Sequence, residues 1–182
     1  MKAIVVYASK YGSTRGIAEF IAEKLRQHGA QADVRPVDAV HNPGDYDVLV
    51  VGSAVYMGRW LKEAAEFVRR NRAVLTNRPV WLFSSGPLGS DVSANDPKLE
   101  PKEIAEFREA INPKDHRIFS GALDPSKLGF AHQMMRKLPA ARALFPEGDF
   151  RNWKDIEVWA SSITRALKAP QTAPRSEMGL EE

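Results

Sequence analysis

The chain has no cysteine. That absence removes disulfides, thiolate catalysis, cysteine zinc sites and iron–sulfur ligation, so any redox chemistry must come from a bound cofactor. No stretch of about 18 apolar residues occurs either, and nothing in the sequence reads as a membrane span. Charge of one sign is barely in excess. Lys and Arg number 26 against 23 Asp and Glu, leaving +3 and a pI near 9.2. This balance is too weak to argue for nucleic acid, though it can bias a local surface toward anionic lipid or an acidic partner. Histidine is sparse. His28, His41, His116 and His132 are scattered through helix, loop, strand and a long late insertion, each reading as a surface or packing residue. No His/Asp/Ser constellation for acid–base catalysis emerges, no metal site is indicated, and no internal repeat is visible. The run Ala3 to Tyr7 is too short for a signal-peptide core, and no usable small-residue cleavage site follows it, so the expectation is a cytoplasmic protein.

What is present is a regular alternation. The 182 residues suit one domain with a sizeable core, at 43% apolar and 27% charged. Ala3-Ile4-Val5-Val6-Tyr7 is apolar at every position, as a parallel strand buried on both faces requires. A helix pattern follows, with Ile17, Phe20, Ile21 and Leu25 on one face and Gly29 placed to end it. Ala32 to Val37 reads as a short edge strand, because Pro36 cannot donate to a ladder on both sides. Tyr46 to Gly52, Val80 to Ser84 and Arg117 to Gly121 read as further strands. Leu61 to Arg72, Pro101 to Ala110 and Trp153 to Leu167 read as helices. Strands alternating with helices predict an α/β fold, a doubly wound five-stranded parallel sheet of order 2-1-3-4-5, with a crevice at the carboxyl ends of strands 1 and 3. The domain is expected over 1–168, with an insertion at about 124–150 after strand 5. The remaining 169–182, rich in Pro, Ser, Thr and Glu, is expected to be a disordered tail.

The loop after the first strand carries the strongest chemical signal. A phosphate dianion needs convergent N–H donors, nearby hydroxyls and the positive end of a helix dipole. Ser9, Ser13 and Thr14 supply hydroxyls, Gly12 permits close backbone approach, and a helix starts near Ser13. Neither the Walker pattern nor G-x-G-x-x-G is present, which disfavours a triphosphate or a dinucleotide.

The segment Ile4-Val5-Val6-Tyr7-Ala8-Ser9-Lys10-Tyr11-Gly12-Ser13-Thr14 resembles the flavodoxin signature, which in that family binds the phosphate of FMN. Val51-Gly52-Ser53-Ala54-Val55-Tyr56-Met57-Gly58-Arg59-Trp60 sits where flavodoxins place their first isoalloxazine loop, and Ser84-Ser85-Gly86-Pro87-Leu88-Gly89 where they place the second. Within that superfamily the chain is similar to the menaquinone-dependent protoporphyrinogen oxidases. The likeness runs over nearly its whole length, including Ser120-Gly121-Ala122-Leu123 and Asn152-Trp153. The resemblance implies FMN held by Ser9, Lys10, Tyr11, Gly12, Ser13, Thr14, Ser53, Ala54, Val55, Tyr56, Met57, Gly58, Trp60, Ser85, Gly86, Pro87, Leu88 and Gly89. It also implies a redox donor and an acceptor such as a quinone. Two departures stand out. Tyr11 occupies a position that is often threonine in flavodoxins, and the second loop and Leu138 to Asp149 differ from the oxidase pattern.

An isoalloxazine ring needs flat apolar cover and backbone groups at its polar edge. Tyr56 and Trp60 are candidates for one face and Leu88 for the other, while Gly86 and Gly89 are placed for the pyrimidine edge; Trp60 reads equally well as core packing at a helix start. Gly58 would let a peptide carbonyl turn toward flavin N5. The insertion from Ser126 to Pro146 contains Lys127, Arg136, Lys137 and Arg142 and no carboxylate, with Ala131, Met134, Met135 and Leu138 on one helical face. Such a segment suits peripheral contact with an anionic membrane. It suits equally well a cover over the flavin edge, a subunit contact, or packing on its own domain. The readings open at this level are an FMN-dependent oxidoreductase, an electron carrier of flavodoxin type, and a binding domain without turnover.

Overall fold

A computed structural model describes residues 1–86, 97–127 and 147–168. Its first strand, β1 (Lys2–Ala8), runs straight into helix α1 (Ser13–Gln27) and returns through β2 (Gln31–Pro36). Then come β3 (Val48–Tyr56), the two-residue β4 (Arg59–Trp60), α2 (Lys62–Arg70), α3 (Arg72–Thr76) and β5 (Val80–Ser85). After residues 87–96, α4 (Glu103–Ile111), β6 (Asp115–Phe119) and β7 (Ala122–Leu123) follow. The described part closes with β8 (Gly148–Asp149) and α5 (Trp153–Lys168).

The main strands lie in the order β2-β1-β3-β5-β6, all parallel, which is the doubly wound order expected once the short β4 is set aside. Successive side chains of a strand point to opposite faces, and helices cover both. Ile4, Val6, Leu49, Val51 and Leu82 therefore pack toward α2, α3 and α4. Ala3, Val5, Val50, Trp81 and Phe83 pack toward α1 and α5. This two-sided burial is the reason the strands read as unbroken apolar runs. Pro36 pairs with Tyr7 on β2, an edge strand that has no second neighbour to miss its N–H. Helix α1 ends as the sequence suggests. Gly29 takes φ 91° and donates to Arg26 O at 2.9 Å, and Ala30 N–H reaches Leu25 O at 3.0 Å.

Three elements differ from the sequence reading. β3 extends to Tyr56 because its last two residues pair with β4 in an antiparallel hairpin. The helix expected to reach Arg72 stops at Arg70, where the Asn71 side chain donates to Phe67 O at 2.8 Å and competes with the helical ladder. The last sheet strand starts at Asp115 rather than Arg117, its polar residues tolerated on an outer strand. The insertion is bracketed by a ribbon, Ala122 opposite Asp149 and Leu123 opposite Gly148. Residues 128–146, with most of the basic segment, lie outside the described residues, as does the tail 169–182. Among the described residues no helix is long and apolar enough to cross a membrane.

One close approach fixes the centre of the sheet. A Cβ on Gly52 would fall within the ring of Phe83, which sits directly against that glycine and edge-on to Trp159. Gly52→Ala is expected to cost about 1–3 kcal/mol through overpacking. Urea unfolding would show a lowered midpoint at unchanged slope, and adding Phe83→Leu would recover part of the loss.

Candidate functional site

The chain turns from β1 into α1 within four residues. Ser9 Oγ accepts the Gly12 N–H at 3.0 Å, and Gly12 adopts φ 89°, a left-handed conformation that glycine takes without strain. Gly16 N–H is the first to find a helical partner, Gly12 O at 3.0 Å. Among the described residues the amides of Ser13, Thr14 and Arg15 are consequently the unpaired donors that an α-helix leaves at its start. Thr14 is 1% exposed, and its hydroxyl makes no hydrogen bond among the described residues. Ser85, 2% exposed at the end of β5, is likewise without a hydroxyl partner among them. Ser13 Oγ accepts the Ala122 N–H at 2.8 Å, which ties the insertion ribbon to the loop and leaves the Ser13 proton free to donate.

The ends of neighbouring strands meet this turn. A Cβ on Gly86 would lie 3.0 Å from the Val55 carbonyl oxygen, so the ends of β3 and β5 touch through a residue that has no side chain. A Cβ on Gly121 would come to 3.4 Å from Ser13 Oγ and 3.7 Å from Gly86. Lys10, exposed, holds its ammonium 5.5 Å from the ring centres of both Tyr11 and Tyr56. The two tyrosines meet edge to face at 6.5 Å. Tyr56 is 37% exposed, and its phenol is pushed up to about 12, first by desolvation and then by the neighbouring Tyr11.

Tyr56 leads into a two-residue turn in which Met57 and Gly58 both have positive φ, 52° and 71°. This turn type matches the twist of paired strands but strains a residue as large as Met57, whose side chain is 99% exposed. The hairpin is braced from α4. Lys102 N–H donates to Gly58 O at 3.1 Å, so that carbonyl already has a partner. The buried Glu103 accepts Trp60 N–H at 3.1 Å and Arg59 Nη1 at 3.3 Å. Ser53 is spent within the hairpin, donating to Ala54 O at 2.8 Å and accepting Leu61 N–H at 3.0 Å.

Trp60 takes the core-packing alternative of its two readings. It is 4% exposed and packs edge-on against Phe107 at 5.3 Å, inside the core beneath α4 rather than over the crevice. Alternation along the antiparallel pair puts it on the opposite side of the hairpin from Tyr56. Its indole Nε1–H donates to Ser84 Oγ at 2.8 Å, and the same hydroxyl lies 2.8 Å from His116 Nε2. His116 Nδ1 faces Glu100 at 3.5 Å, and Arg108 grips that carboxylate with two bonds of 2.7 and 2.5 Å. Burial holds the His116 imidazole down to about 4 despite Glu100, and Arg108 holds the Glu100 carboxyl below the usual range. Sequence reasoning missed Ser84, His116, Glu100 and Glu103 as a group, since they come from three separate segments of the chain. Pro87, Leu88 and Gly89 lie outside the described residues.

On the other flank a cavity of about 340 Å³ opens between Tyr11, Gly12 and Ser13 and the insertion ribbon. Its described wall includes Asp124, Glu147, Asp149 and a single Arg151, which is already bonded to Asp149 at 2.6 Å.

A doubly wound sheet with an anion-ready helix start at its central strand defines a class of protein that binds a phosphorylated ligand at its strand ends. Residues 4–143 match the flavodoxin domain model, and the chain belongs to that family. Protoporphyrinogen IX dehydrogenase [quinone] of Escherichia coli K12 is 31% identical over 46% of this chain and 48% of its own length. An NAD(P)H dehydrogenase (quinone) of Caulobacter vibrioides is 30% identical over 36% of this chain and 44% of its own. The chain thus spans about half the length of the curated relatives it matches. Among solved structures, an archaeal flavodoxin superposes with TM-score 0.58 at 17% identity, over 93% of this chain and all of that one. Rubredoxin oxygen:oxidoreductase of Desulfovibrio gigas superposes with TM-score 0.60 at 18% identity, over 94% of this chain and 37% of that one.

FMN is the cofactor this family implies, and the residues present fit it. The start of α1 offers three amides and a buried Thr14 hydroxyl without partners among the described residues, the donor set that a phosphate needs.

The buried imidazole makes stability depend on pH. The folded chain keeps His116 neutral to about 4, whereas the unfolded chain protonates it near 6.5, so its contribution is whole above 6.5 and fades as the pH falls toward 4. The loss amounts to about 3 kcal/mol at most. Denaturant midpoints measured between pH 7 and 4 should fall more steeply for the parent than for His116→Gln.

Proposed function

We propose that this protein is an FMN-dependent oxidoreductase that accepts electrons from a reduced donor and delivers them to a quinone. The observation that carries the reading is the start of α1. The amides of Ser13, Thr14 and Arg15 and the buried Thr14 hydroxyl are prepaid donors for a phosphate dianion, and the helix dipole adds to them. Ser9 and Ser13 accept amide protons and keep their own for the phosphate, so Tyr11 costs little by having no hydroxyl close to its backbone. Ser85 offers a further buried hydroxyl on the same side of the sheet. Tyr56 lies beside the crevice mouth and is the aromatic placed to cover the ring. Ala54, Val55, Met57, Gly58 and Gly86 supply backbone around it, and Pro87, Leu88 and Gly89 would complete the second loop. Lys10 stands over the two tyrosines, where it would face the anionic end of the cofactor.

FMN, when bound, takes up two electrons and returns them singly or in pairs. The chain's own part is to hold the phosphate, orient the ring and shield one face of it. The quinone acceptor is supported by the curated relatives, two kinds of quinone-linked dehydrogenase by name. The basic segment 126–146 is the part of the sequence suited to bring the crevice near an anionic membrane. The protein loaded with FMN should show the absorbance of an oxidised flavin and lose it on stepwise reduction. Addition of a soluble quinone should then restore it with turnover under a continuous donor. A protein that takes up no FMN would refute the reading. One that is reduced in single-electron steps and passes nothing to quinones would be an electron carrier instead.

A further inference from the structure

The Ser84 hydroxyl joins the two loops that, on the FMN reading above, flank the ring. Trp60 belongs to the hairpin that carries Tyr56, and Ser84 immediately precedes Ser85 and Gly86 at the end of β5. The two segments already touch once, where Gly86 lies against the Val55 backbone. The bond of 2.8 Å from Trp60 Nε1 to Ser84 Oγ is a second tie, buried beneath α4.

The donor inventory orders the rest of the chain of bonds. An indole N–H can only donate, so Ser84 accepts from Trp60 and turns its own proton to His116 Nε2 at 2.8 Å. The imidazole then carries its proton on Nδ1, facing Glu100, and the bidentate Arg108 keeps Glu100 an acceptor. This arrangement is the one that leaves no buried donor or acceptor idle. The groups facing His116 are Ser84 from β5, Glu100 ahead of α4, Arg108 on α4 and Asp115 beside it on β6. Trp60 meets it only through Ser84. We propose that Ser84, His116 and Glu100 form a positioning relay that fixes the 56–60 hairpin against the end of β5. By that placement the relay sets how tightly the crevice holds FMN and at what potential the bound flavin is reduced.

The hairpin has an independent brace in the bond from Trp60 N–H to Glu103, so a broken relay shifts the hairpin without unfolding it. Trp60→Phe keeps an aromatic ring against Phe107 and deletes only the N–H. Ser84→Ala removes the junction, and His116→Gln supplies an amide that can accept from Ser84 and donate toward Glu100. Each would be checked by circular dichroism, then titrated with FMN and reduced against a reference dye. Nitrogen-15 NMR of the FMN-free parent would read the His116 tautomer.

The expected results are an Nδ1–H tautomer in the parent and FMN dissociation constants raised about tenfold in Trp60→Phe and Ser84→Ala, with a displaced midpoint potential in both. The double variant should be no worse than either single one, since both cut the same chain. His116→Gln should keep most of the parent's affinity. An Nε2–H tautomer in the parent overturns the relay whatever the variants do. So do single variants that match the parent in affinity and potential, or a double variant whose losses add. A parent that binds no FMN overturns the flavin reading on which the relay's consequence rests, an outcome distinct from variants that match an FMN-binding parent.

Discussion

A helix that begins at the carboxyl end of a central parallel strand must leave its first amides unpaired, and the rest of this crevice is arranged around that constraint. Gly12 makes the turn sharp enough for Ser13, Thr14 and Arg15 to present those amides close to the end of β1. Ser9 closes the turn from inside by accepting the Gly12 N–H, and Ser13 reaches out to the insertion ribbon through Ala122. Neighbouring strand ends are then drawn up to the same place by glycines. Gly86 approaches Val55, and Gly121 approaches both Ser13 and Gly86. Side chains at those points would push the strand ends apart.

The hairpin after β3 is held in a different manner. Its turn strains Met57 and buries little of it, so it would be poorly defined if left to itself. Order is imposed from outside, by Lys102 and Glu103 at the start of α4 and by the indole of Trp60 gripping Ser84. The polar chain beyond Ser84 is paired at each step, from the buried His116 out to the half-buried Glu100 and the exposed Arg108, and a paired network of this kind adds rigidity. The hairpin and the core beneath α4 are therefore mechanically one unit.

Much of this was legible in the sequence. The unbroken apolar runs of β1 and β5 gave the two-sided sheet, Pro36 gave the edge strand, and the spacing of Ile17, Ile21 and Leu25 gave α1. The turn from β1 into α1 was readable because Ser9 to Thr14 are six consecutive residues. Trp60 was not readable in the same way. Its position in the matched loop left flavin contact and core packing both open, and its burial is decided by pairing with Val55 across a hairpin whose turn has no Asn-Gly signal to announce it. The Ser84–His116–Glu100 chain was invisible for a related reason. Residues 60, 84, 100 and 116 come together only through sheet order and the seat of α4, and no local pattern records either.

The central claim is that the start of α1 recognises a phosphate, and the comparison of FMN with riboflavin tests it most directly, since the two differ only there. Titrated into the cofactor-free protein, FMN should bind more tightly by about a hundredfold or more. Thr14→Val, which keeps the shape and removes the buried hydroxyl, should narrow that gap by about tenfold and leave riboflavin binding unchanged. Equal affinity for FMN and riboflavin would contradict the account.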